Sequence, residues 1–67
     1  MIKNEFYTFI PVVNSQNVIQ YYQVLYVGME IGNFRPDGSL IQEYSNATGI
    51  KGLEDKMGAA AEMIRLF

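Results

Sequence analysis

The side chains that most enzymes use near neutral pH are missing from this chain, which has no histidine and no cysteine. A general base poised near pH 7 and a thiolate nucleophile are therefore unavailable, as is an ordinary zinc site. What remains is seven carboxylates, Glu5, Glu30, Asp37, Glu43, Glu54, Asp55 and Glu62, spread along 67 residues. Glu54 and Asp55 are adjacent, so on a helix they diverge by about 100° and do not converge on one substrate atom or metal. A carboxylate pair assembled from different strands is the one acid–base arrangement left open. Ser15, Ser39 and Ser45 fall at turn or strand-end positions, where serine serves the backbone. The expectation is a non-enzymatic protein that uses no cofactor and no metal.

Two other features carry binding chemistry. Gly49-Ile50-Lys51-Gly52 precedes a helical pattern, and a glycine-flanked loop at a helix start presents backbone N–H groups to an anion. KH domains clamp a nucleic-acid backbone with a similar loop. That fold also needs a helix before the loop, and a phosphate-gripping protein carries a basic patch, whereas the net charge here is −2. The plainer reading is a flexible turn, with no nucleic-acid partner. The tyrosines are the second feature. Tyr22, Tyr26 and Tyr44 suit an interface, since tyrosine offers large area and a polar handle. They equally suit ordinary aromatic pairs across strands.

The elements that position these residues follow from periodicity. Residues 18–31, VIQYYQVLYVGMEI, alternate with period two and read as one organising strand. One face carries Ile19, Tyr21, Gln23, Leu25, Val27, Met29 and Ile31, and the other carries Val18, Gln20, Tyr22, Val24, Tyr26, Gly28 and Glu30. Residues 5–13, EFYTFIPVV, form an earlier strand, at an edge or bulged at Pro11, which cannot donate to a ladder. Asn14-Ser15-Gln16-Asn17 and Arg35-Pro36-Asp37-Gly38 are turns. Residues 39–44, SLIQEY, read as a third strand or, in the rival reading, as a short helix capped by Asp37 or Ser39. Residues 45–52 are loop, and their Asn46-Ala47-Thr48 sequon is a chance match without a secretory signal. In residues 53–67, Leu53, Met57, Ala60, Ile64 and Phe67 fall on one helical face. Gly58 in that helix suggests a close approach to the sheet.

The architecture expected is one α+β domain over residues 1–67: a three-stranded antiparallel sheet with one C-terminal helix packed on one face. The helix is expected over the Ile19/Leu25/Val27 side, with Tyr21 in the core. Tyr22, Val24 and Tyr26 would then lie on an uncovered face and form the interface of a homodimer. Composition agrees with association, because 49% of the residues are hydrophobic while a chain this short buries only about 60% of its unfolded surface. No apolar run approaches the ~20 residues of a membrane span, and the N-terminal stretch lacks the apolar core of a signal peptide. A cytoplasmic protein without a membrane partner is expected.

Some of these residues resemble a known family. Met1-Ile2-Lys3-Asn4-Glu5-Phe6, then Gln20-Tyr21-Tyr22, then Gly28 and Phe34, are similar to the small phage inhibitors of uracil-DNA glycosylase. There a short lead with Asn-Asp-Phe precedes a strand, and a later Gln-Tyr-Tyr opens the second. The resemblance covers roughly the first half of the chain. It implies a non-enzymatic homodimer that imitates DNA, with carboxylates standing in for phosphates and aromatics gripping an apolar loop of the enzyme. On that reading Glu30, Phe34, Glu43 and Tyr44 face the glycosylase, in the cytoplasm of a phage host. The sequence departs from the family where Phe34 runs into Arg35-Pro36 in place of a Phe-Glu helix start. Tyr44-Ser45-Asn46 is similar to the family's Tyr-Gly-Asn only if residues 39–44 are helical, so a strand there counts against the family. The alternative is an interaction module that binds another host protein through the exposed aromatic face.

Overall fold

The protein was analysed as a computed structural model, which describes residues 1–44 and 49–67. The chain is α+β, with a five-stranded antiparallel sheet and one C-terminal helix among the described residues. In chain order these are β1 (Ile2–Lys3), β2 (Tyr7–Val13), β3 (Ile19–Tyr26), β4 (Met29–Phe34), β5 (Leu40–Glu43) and α1 (Leu53–Arg65). The strands lie side by side in sequence order, a pure meander. No helix among the described residues is long and apolar enough to cross a membrane.

Three turns join β2 through β5. At the first, Asn14 Oδ1 accepts from the N–H groups of Gln16 (2.8 Å) and Val18 (3.0 Å), and Asn17 takes a positive φ of 67°. At the third, Gly38 N–H donates to Arg35 O, and Ser39 N–H donates to Asp37 Oδ1 at 2.8 Å. Gly38 has φ +92°, and a Cβ there would lie 3.0 Å from the Ala61 carbonyl oxygen, so glycine is required twice over. The second turn is the surprise. Residues 18–31 are not one strand: Val27 and Gly28, with φ 49° and 79°, close a two-residue hairpin between β3 and β4. Positive φ at both positions is the type I′ pattern, which favours Asn-Gly. Val-Gly gave no such signal. The expected three strands thus become five, because the organising segment folds back on itself and Ile2–Lys3 adds an edge strand.

That hairpin also changes which side chains share a face. Tyr26 pairs with Met29 across the turn, so an even-numbered face of β3 continues as an odd-numbered one in β4. A bulge then places Ile31 as the extra residue between the Leu25–Glu30 and Val24–Gly32 pairs, and both Ile31 and Gly32 are buried. A Cβ at Gly32 would stand 2.7 Å from the Gln42 carbonyl oxygen.

Pro11 pairs only with Tyr22 of β3, since β1 reaches β2 no further than Phe9. It therefore sits where β2 is locally an edge, and its missing N–H leaves no gap in a ladder. Residues 39–44 resolve as a strand, Leu40–Glu43, and not as a helix.

The helix lies over Tyr7, Phe9, Tyr22, Val24, Ile31 and Phe34, which with Ala60 and Ile64 form the core. This is the face opposite to the expected one. Val24 is fully buried and Tyr22 is 6% exposed. The helix spans the face from end to end. Near its start Tyr7 Oη donates to Lys56 O at 3.2 Å. Beyond its last turn the Phe67 ring meets Phe9 and Tyr22 edge-on, with centroids 5.0 and 5.5 Å away. Such pairs add about 0.5–1.5 kcal/mol each beyond area burial. Gly58 has open space around it and lies on the outer side of the helix, so it marks no close approach.

Candidate interaction surface

Of the residues expected at a dimer interface, Tyr22 and Val24 are interior, under the helix, and Tyr26 is engaged by its own chain. Its ring lies edge-on to Tyr7 at 5.1 Å, is flanked by Phe6 at 6.2 Å, and carries the Lys56 ammonium 5.3 Å above its centroid. Burial, and the Tyr26 hydroxyl second, push the Tyr7 phenol above its ordinary range.

The four expected partner-facing residues are likewise not brought together. Phe34 is 2% exposed and belongs to the core. Glu43 pairs with Gly32 in the row Ile2–Phe9–Val24–Gly32–Glu43, on the helix side of the sheet but past its cover. Glu30 pairs with Leu25, on the other side. Tyr44 follows Glu30 there, because its hydroxyl donates to Asn33 Oδ1 at 3.0 Å and Asn33 pairs with Gln23. Ser45 and Asn46, the rest of the Tyr-Ser-Asn motif, lie outside the described residues, as does the Asn46-Ala47-Thr48 sequon. Asn4, part of the lead motif, serves the fold. Its Oδ1 accepts from Tyr7 N–H at 2.8 Å and Phe6 N–H at 3.1 Å, closing the turn between β1 and β2.

Register, carried strand to strand, defines the face that no element of the described residues covers. One row reads Lys3–Thr8–Leu25–Glu30, the next Ile10–Gln23–Asn33–Gln42, the third Val12–Tyr21. Thr8, Ile10, Val12, Tyr21, Gln23, Leu25 and Asn33 are all half-buried by their strand neighbours alone. The centre is uncharged, mixing aliphatic, aromatic and amide groups, with Lys3 and Glu30 at opposite margins. Tyr21, expected in the core, is on this face. Sequence reading placed Tyr21, Gln23 and Leu25 under the helix and named none of Thr8, Ile10 or Val12. The missing signal was the Val27-Gly28 hairpin.

A second exposed feature sits at that hairpin. Val27 is 69% exposed although a β-branched residue at positive φ is strained by about 1–2 kcal/mol. Its N–H donates to Phe6 O at 2.8 Å, and the half-exposed Phe6 and exposed Met29 stand beside it in the chain's turn region. The glycine loop offers less. Gly52 caps the helix with φ 71° and no side-chain bond, but Glu54 and Asp55 fill the first turn and oppose an anion at the dipole's positive end.

Among the described residues there is no cavity and no group of three carboxylates placed to hold a metal. The one ion pair there, Arg65–Glu62 at 2.9 Å, is solvent-exposed and contributes little. No family model, curated protein or solved structure matches the chain.

Proposed function

We propose that the chain is a non-enzymatic protein-binding module that works through the sheet face bearing Thr8, Ile10, Val12, Tyr21, Gln23 and Leu25. The supporting observation is the side the helix takes. With Tyr22 and Val24 under it, a face with an uncharged centre stays open to solvent. Aliphatic groups interleaved with amides and one tyrosine make a surface that gains from desolvation and keeps polar groups for orientation. Photo-crosslinking tests this directly. A crosslinking residue at position 23, in the middle of the face, should give protein adducts in the cells that make the chain. The same residue at position 58, on the outer side of the helix, should not. Adducts from position 58 alone, or equally from both, sink the assignment.

The family resemblance of the first half of the chain implies one specific partner, uracil-DNA glycosylase. Tyr21 of the Gln20-Tyr21-Tyr22 motif lies on the open face, with Glu30 two rows away and Tyr44 on the same side, which supports an inhibitor reading. Phe34 drops out of its contact set, and the strand at Leu40–Glu43 counts against the family. Uracil excision from a labelled single-stranded oligonucleotide, titrated with this protein, decides it. Inhibition near stoichiometric amounts supports the inhibitor role, and none at large excess removes it for the enzyme tested.

A further inference from the structure

We infer that the occupant of the open face is a second copy of this chain, stacked face to face about a twofold axis that runs along the strands between β2 and β3. The inference rests on the binding role proposed above for that face, and it adds the partner and the register.

The argument comes from the row Lys3–Thr8–Leu25–Glu30. It crosses four strands at one height and ends in opposite charges. A twofold axis lying in the interface parallel to the strands keeps every row at its own height and reverses the strand order. With the axis midway between β2 and β3, β1 lies over β4 of the second copy. Lys3 then meets the partner's Glu30, and Glu30 meets the partner's Lys3. Between them Thr8 faces the partner's Leu25, Ile10 faces the partner's Gln23, and Val12 faces the partner's Tyr21. Stacked sheets sit about 10 Å apart, a gap that an extended lysine and an extended glutamate close from either side. Twisted sheets pack this way with strands within about 30° of each other.

The other in-plane axis, perpendicular to the strands, moves each row to a new height. Lys3 would then meet no opposite charge, since β1 has no residue level with Val12. An unrelated partner would need a neutral centre flanked by one acid and one base at matched spacing. This face already supplies that pattern to itself, as an isologous interface requires. With β1 only two residues long, the face covers at most roughly 20 Å by 20 Å, smaller than a standard specific interface, so a weak dimer is expected, populated toward the millimolar end.

Sedimentation equilibrium from micromolar to millimolar concentration tests the arrangement. The native chain should be a dimer at the upper end. Each dimer holds two Lys3–Glu30 pairs, so K3E or E30K alone should weaken it by about tenfold at low salt. The double variant K3E/E30K should recover near-native affinity. Lys3 is exposed and its side chain makes no hydrogen bond or ion pair among the described residues, so K3E should leave the fold intact, which circular dichroism verifies. A monomer at millimolar concentration overturns the inference, while the crosslinking at position 23 still judges the binding role by itself. A dimer that ignores both charge reversals, or that the double variant does not restore, uses another surface such as the β5 edge, and also overturns it.

Discussion

Tyr21 and Tyr22 are neighbours in sequence with opposite fates. Tyr22 lies under the helix, its ring edge-on to Phe67, while Tyr21 stands on the open face in a row with Val12. The contrast extends to the whole sheet. The covered side is built from rings and branched aliphatics with Phe9 and Val24 at its centre, and the open side mixes Ile10, Val12 and Leu25 with Thr8, Gln23 and Asn33. Both sides contain apolar residues, so hydrophobicity alone does not tell them apart. Large aromatics concentrate where the helix lands, where together with Val24 and Ile31 they fill the layer between helix and sheet.

Substitutions sharpen the comparison. The largest effect is expected at the covered centre: Phe9→Ala removes a 1%-exposed ring that contacts both Tyr7 and Phe67, and should destabilise the fold by about 3–5 kcal/mol in urea unfolding. Gly32→Ala should cost about 1–3 kcal/mol, since the new methyl meets the Gln42 carbonyl and must push β5 aside. A smaller change of opposite sign is expected at the β3–β4 hairpin. Val27→Asn relieves a strained φ with a residue that type I′ turns prefer, and should raise stability by about 1 kcal/mol in the same assay. On the open face Leu25→Ser should shift monomer stability by less than about 1 kcal/mol, because little surface is fully buried there. If Leu25→Ser proved as damaging as Phe9→Ala, the two faces would not differ as described.

The pH dependence divides along the molecule as well. Hydrogen bonds from Ser39, side chain and backbone, hold the Asp37 carboxyl below its ordinary range. Its contribution is present above the unfolded carboxylate pKa and is lost as pH falls through the lower folded value. Tyr7 has the opposite sign. Its raised phenol favours the folded state only while protonated, so stability falls as pH rises past 10 toward the folded value. A urea midpoint that stays flat from pH 9 to 11 would contradict the burial of Tyr7.

Several of these elements were legible in the sequence. The helical face of Leu53, Met57, Ala60 and Ile64, the first strand, the Asp37-Gly38 turn and the strand beginning near Leu40 all follow from spacing and turn chemistry. The open face was not legible, for two physical reasons. Val27 occupies a position where asparagine would have announced a hairpin, and without that signal alternation ran on through residues 18–31. The two-residue turn flips parity, so Glu30 points with Leu25 and not with Tyr22 and Val24, and the bulge at Ile31 flips it back from Gly32 onward. The site residues failed with it: Phe34 and Val24 are apolar at alternating positions, and only the turn decides whether such a position is surface or core.

The meander has a consequence for how the chain assembles. Every strand pairs with its neighbour in sequence, so β2 to β5 can form from short loops at low entropic cost. The helix is different: its bonds reach back across most of the chain, Lys56 to Tyr7 over 49 residues and Met63 to Asn4 over 59. During synthesis from the N-terminus, Phe9, Tyr22, Val24 and Phe34 are therefore all made before the residues that shelter them. For that interval the growing sheet is bare on both sides, and its vulnerability to misassociation ends only when the last helical turn reaches Phe9.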